Sequence, residues 1–161
     1  MSSQSRFDAY ALLGLLDRAR LDYVIIGGVA RVIRGSGERT SGLDIVPNLN
    51  ERGRARLQKL LQELGGRDDV GSQPLDLNTP HGRLRIVPTP WGTEGYEDLR
   101  RRAGREHLGG FLRPQVASIV DLARMAEASP RPEDGERLVR LRRLMELEHR
   151  LGRTHGLGVD R

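Results

Sequence analysis

A chain of 161 residues with 37% apolar and 30% charged side chains is long enough for one domain with a real core and too apolar for a disordered segment. No apolar run approaches the roughly 20 residues that span a bilayer, the N-terminus carries no signal-peptide pattern, and the lack of cysteine excludes disulfides, thiolate catalysis and Cys–zinc sites. The net charge is +5, and Lys59 is the one basic residue among 27 that is not arginine, which favours acidic partners without dictating a fold.

Apolar residues at 7, 11, 12, 15 and 16 predict a helix over Phe7 to Arg20. Tyr23 to Ile26 is a short buried strand that ends in Gly27-Gly28, and Val29 to Arg34 a short helix closed by Gly35-Ser36-Gly37. Leu43 to Val46 is a second strand, stopped by Pro47. Asn50 caps a helix with Leu57, Leu60, Leu61 and Leu64 on one face, ending at Gly65-Gly66. Leu75 to Asn78 and Leu84 to Val87 form a hairpin around Thr79-Pro80-His81-Gly82.

Thr89 to Gly95 is loop, Tyr96 to Arg105 is predicted as helix, and His107 to Gln115 as strand around a Gly109-Gly110 turn. Ser118 caps a helix that runs to about Ala128, with Asp121 supporting its first turn. Pro130-Arg131-Pro132 breaks it, and an amphipathic helix follows from Glu136 to Leu151, with Glu136–Arg140 and Glu146–Arg150 spaced for i,i+4 pairs. The expectation is one domain over 1–161, with its core at about 7–128, a C-terminal helix over 136–151 and a loose tail over 152–161. Strands interleaved with helices imply an α/β (α+β) mixed sheet flanked by helices. A cytoplasmic location is the default, with no membrane partner.

The Gly27-Gly28 turn, Thr40 to Pro47, His81-Gly82-Arg83-Leu84, and Gly92 with Gly95-Tyr96-Glu97-Asp98-Leu99 stand in a particular order. Val116-Ala117-Ser118 with Asp121-Leu122, then Arg131-Pro132 with Asp134, complete the set. In that order and spacing the chain resembles the nucleotidyltransferase-fold superfamily, the polymerase-β-like group. Within it the chain is most similar to AbiEii-like small nucleotidyltransferases, which include toxins of toxin–antitoxin pairs. The resemblance runs from about Tyr23 to Asp134.

The resemblance implies two acids, one residue apart, on the strand after the Gly-Gly turn, which point to one face and hold magnesium. Here Asp44 stands for the second and Gly42 for the first. A third acid is usual where this chain has Arg85, and a lysine where it has Ala126. Three missing polar groups imply a degenerate site, with a cation in place of an acid at its centre. That points to a catalytically impaired protein, a pseudoenzyme with no cofactor, which binds nucleotide or nucleic acid by charge. Its phosphate would sit on Gly27, Gly28, Ser36, Arg39 and Arg85.

The rival expectation is an active magnesium-dependent nucleotidyltransferase, a toxin that modifies tRNA, with Asp44 as metal ligand together with Asp76 or Asp134. A third is a module that binds a partner protein and keeps a relic cleft. Arg100, Arg101, Arg102 and Arg105 are either solvated surface or contacts to a nucleic-acid backbone. Trp91 either stacks a base or lies as a lid on the core. The four histidines have no metal-ligand spacing.

Overall fold

The protein is described by a computed structural model that covers residues 6–65 and 70–159, the last seven as backbone only. Asp8 accepts a hydrogen bond from Ala11 N–H and so caps α1 (Ala9–Arg18), which buries Leu12, Leu13 and Leu16. Then come β1 (Tyr23–Ile26), α2 (Gly27–Ile33) and β2 (Gly42–Pro47). Asn50 Oδ1 accepts from Gly53 N–H at 2.8 Å at the start of α3 (Glu51–Gly65), as its sequence predicts. The hairpin β3 (Leu75–Thr79) and β4 (Gly82–Ile86) turns on Thr79, whose hydroxyl donates to Gly82 O and accepts from His81 N–H.

The second half holds α4 (Tyr96–Arg100), β5 (Gly104–Arg105), β6 (Gln115–Val116), α5 (Ile119–Ala128) and α6 (Glu133–Val159). Ser118 Oγ accepts from Asp121 N–H and caps α5. The six strands form one mixed sheet in the order β3-β4-β2-β1-β6-β5. β1 runs antiparallel to β2 and parallel to β6, while β2 and β4 are parallel. A mixed sheet with flanking and C-terminal helices is the α/β architecture expected.

Alternation along the strands divides the sheet into two chemistries. Leu43 and Ile45 of β2 stand beside Leu84 and Ile86 of β4, all four shielded from water. Each such side chain contributes about 1.5–3 kcal/mol when it leaves water. Gly42 and Asp44 share the opposite face with Arg83 and Arg85. α1 packs against β2 and β4, α2 against β1 and β2, and α6 lies along α5 with Leu141 buried.

Three sequence expectations change. The helix expected over Tyr96 to Arg105 ends at Arg100, because Arg102 N–H and Ala103 N–H both turn back to Leu99 O and Gly104–Arg105 then pairs with β6. The strand expected over His107 to Gln115 is a tight turn bridged at Gly109 and Leu112, and the sheet resumes only at Gln115. The C-terminal helix starts at Glu133, three residues before the expected Glu136. Its Glu146–Arg150 pair forms at 2.7 Å. Of the expected tail, 152–159 continue as helical backbone, and Asp160 and Arg161 lie outside the described residues.

Candidate anion-binding cleft

The polar face of β2, β4 and β3 carries one row of charge. Arg85 is the register partner of Asp44 on one side and of Asp76 on the other. One residue pair along, Arg83 lies between Gly42 and Asn78. β4 therefore separates β3 from β2, and Asp44 and Asp76 stand roughly 10 Å apart at two ladder spacings with Arg85 between them. The alternative in which these two acids converge on one ion required neighbouring strands, and β2 and β3 are not neighbours.

The contacts within the row are loose. Arg83 Nη2 is 4.0 Å from Asp44 Oδ1, Arg83 Nη1 is 3.8 Å from Asp76 Oδ1, and Arg85 Nε is 3.8 Å from the same oxygen. None is a hydrogen bond. Asp44 Oδ1 and Arg85 Nε are buried and have no hydrogen-bond partner among the described residues. Burial pushes the Asp44 carboxyl above its ordinary range, against the downward pull of Arg83, Arg85 and Arg31, while Asp76 adds to the rise. Gly27 is what lets α2 approach. Its φ is +70°, and a Cβ there would run into the Asp44 carboxylate.

Around this row the chain encloses a cavity of about 420 Å³, within the usual size of a small-molecule site. Arg31, Arg39, Arg83, Arg85, Arg131 and Arg137 line it, against the carboxylates of Glu38, Asp44 and Asp134. Some of these charges are committed. Glu38 takes Arg31 through both oxygens at 2.9 and 3.0 Å, and Asp134 takes Arg137 at 2.8 Å. Burial opposes the ionisation of Glu38 and of Asp134, yet hydrogen bonds from Arg31 and Ser36 to the first, and from Ser129 and Arg137 to the second, hold both carboxyls below their ordinary range. Trp91 lines the same cavity at 44% exposure, with the Arg131 guanidinium 5.0 Å from its ring centre.

Of the residues singled out in the sequence, Gly27, Gly28, Arg39, Gly42, Asp44, Arg85, Trp91, Ala126 and Asp134 line this cavity. Ser36 does not. Its hydroxyl donates to Glu38 at 2.8 Å and helps hold the carboxylate that grips Arg31. α2 is only seven residues long, so its first amides make no helix-end anion site of weight. Asp76 stays on the outer flank of Arg85, half exposed.

Arg100, Arg101, Arg102 and Arg105 lie outside the cavity. Arg100 pairs with Glu97 at 2.6 Å, and Arg105 donates to Arg113 O. Arg102 grips the fully buried Asp121 at 2.9 and 3.1 Å. Arg101 remains exposed at the end of α4. Arg83, Arg31, Arg131 and Arg137 were not singled out as phosphate contacts in the sequence. Arg83 alone had a visible signal, the alternation Arg83-Leu84-Arg85 that puts it on the same face as Arg85.

Magnesium, which the resemblance implies, needs several converging oxygen ligands. Among the described residues no three Asp, Glu, His or Cys side chains converge. Asp44 offers one free oxygen, Asp76 is behind Arg85, and Asp134 is engaged by Arg137. These residues do not fit a two-metal site.

No family model matches the sequence, and no curated protein matches it. Among solved structures, the chain is similar to the antibiotic-resistance factor ANT(2'')-Ia, whose solution structure reveals substrate-regulated conformation dynamics. That match has a TM-score of 0.52 and 19% identity, over 94% of this chain and 92% of the other. It is also similar to TM1012 of Thermotoga maritima, a candidate nucleotidyltransferase, with a TM-score of 0.50 and 14% identity over 95% and 99% of the two chains. At such identities the likeness speaks to fold alone, and the fold is nucleotidyltransferase-like.

Proposed function

We propose that the protein is an impaired member of the nucleotidyltransferase fold that binds the phosphates of a nucleotide or nucleic acid with arginine instead of metal. One observation carries this reading: Arg85 occupies the centre of the charged row with a buried Nε that makes no hydrogen bond, inside a cavity lined by six arginines. A guanidinium is always charged and offers a planar fork that matches phosphate oxygens. Arg39 and Trp91, which also line the cavity, supply a further cation and a stacking surface. The likeness in fold to ANT(2'')-Ia and to TM1012, a candidate nucleotidyltransferase, supports a nucleotide as the ligand.

The active-enzyme reading keeps one observation in its favour, the buried Asp44 Oδ1 that no hydrogen bond occupies. Label transfer separates the two. The protein is incubated with labelled nucleoside triphosphates, magnesium or manganese, and pooled RNA. No transfer, together with salt-sensitive binding that Arg85→Ala weakens, is the expected result. Transfer that disappears in Asp44→Ala would establish an enzyme and end the impaired reading.

A further inference from the structure

Arg83 owes its place to a missing side chain. A Cβ built on Gly42 would stand 2.9 Å from Arg83 Nε, 3.1 Å from Arg83 O and 3.3 Å from Arg83 Cβ. Gly42 does not have a positive φ, so its backbone would accept any residue, and the crowding by Arg83 is the obstacle. The Arg83 guanidinium is half exposed to the cavity and reaches Asp44 and Asp76 only at 4.0 and 3.8 Å. It makes no hydrogen bond among the described residues, so its five N–H donors are uncommitted.

Arg83 and Arg85 are two residues apart on one strand and point to one face, roughly 7 Å apart at the backbone. Asp76 Oδ1 stands 3.8 Å from both guanidiniums, too far to hydrogen-bond either, so both keep donors for an anion that approaches more closely. A single phosphate satisfies one fork, while two linked phosphoryl groups offer oxygens to both.

We infer that Arg83, seated in the space that Gly42 leaves open, is a second phosphate-gripping residue, and that the Arg83–Arg85 pair selects ligands with at least two linked phosphoryl groups. This rests on the anion-binding reading of the cleft and assigns it a ligand class and a new residue. Gly42 is then a positioning residue that acts through Arg83.

Calorimetric titration of inorganic pyrophosphate and orthophosphate in EDTA tests it with the wild type, Arg83→Met, Arg83→Lys, Gly42→Ala, Arg85→Ala and the Gly42→Ala/Arg83→Met double variant. Pyrophosphate is expected to bind about tenfold or more tighter than orthophosphate, the size of one charge-assisted contact. Arg83→Met and Gly42→Ala each remove most of that preference, and Arg83→Lys recovers part of it. The double variant is no weaker than either single one, because both changes remove one interaction. Wild-type pyrophosphate affinity in Arg83→Met, with loss in Arg85→Ala, would overturn the role of Arg83 and leave the cleft's function standing. Unchanged affinity in both Arg83→Met and Arg85→Ala would remove the anion-binding reading itself.

Discussion

Asp44 and Arg85 are register partners across the parallel β2–β4 ladder, yet no hydrogen bond joins them. An acid and a base side by side would normally satisfy each other. Here each keeps a buried polar atom unpartnered, and such an atom costs about 1–3 kcal/mol. Sites that hold ligands carry this kind of local cost, and it sets the sign of the first prediction.

Asp44→Asn is expected to strengthen anion binding several-fold, because the only negative charge beside Arg85 on β2 is removed. It also changes stability with pH. Burial holds the Asp44 carboxyl above its ordinary 3.8 in the folded protein. A raised acid favours folding in its protonated form, so its contribution is fully present below pH 3.8 and is lost as pH rises through the folded value. At pH 7 the variant should melt higher than the wild type, and below the ordinary value the gain should vanish. Thermal melts across that range decide it, and weaker binding in Asp44→Asn would count against the account.

The Arg102–Asp121 pair predicts a different kind of loss. Asp121 is 0% exposed and is held by Arg102 and Arg124, with Asp98 accepting from Arg124 and from Glu94 N–H beside it. Asp121→Ala removes the buried carboxylate that both guanidiniums share and leaves a gap in the core, and it is expected to lower Tm by several degrees. Arg102→Ala should also destabilise, whereas Arg101→Ala should leave the melt unchanged. The Glu94 N–H does most to hold the Asp98 carboxyl below its ordinary 3.8, burial opposes it, and Arg124 and Arg102 assist. That contribution is present above the ordinary value and is lost as pH falls through the depressed one. Asp98→Asn should therefore flatten the acid limb of the stability profile.

The single tryptophan gives a direct optical probe. Trp91 lines the cavity with Arg131 stacked near its ring. A nucleotide is expected to quench its fluorescence, and pyrophosphate to do so far less. Trp91→Ala should weaken nucleotide binding by about tenfold, the size of one lost base stack, and leave pyrophosphate affinity unchanged. Equal losses for both ligands would place Trp91 in the packing of the loop instead.

The sheet's central strands and two helix caps are legible in the sequence because apolar runs, Asn50 and Ser118 act locally. The segment over 96–116 is not. Its strands are two residues long, too short for any periodicity, and Arg102 leaves the helix for Asp121, a partner 19 residues away. In the cleft, Asp44 and Arg85 stand out because the sequence around them forms an ordered set of motifs. Arg31, Arg131 and Arg137 reach the cavity from α2, the loop before α6 and α6 itself, and only the tertiary fold brings them together. Ser36 shows the limit of motif reasoning, since a hydroxyl in a Gly-rich loop turned inward to serve Glu38.

The central claim is that guanidiniums, and no divalent ion, hold the ligand's phosphates in this cleft. Titration of a nucleoside triphosphate into the wild type and Arg85→Ala, once in EDTA and once in magnesium, tests it most directly. The account predicts equal or tighter binding in EDTA, and a loss of about tenfold or more in Arg85→Ala under both conditions. Binding that appears only with magnesium and survives Arg85→Ala would contradict it.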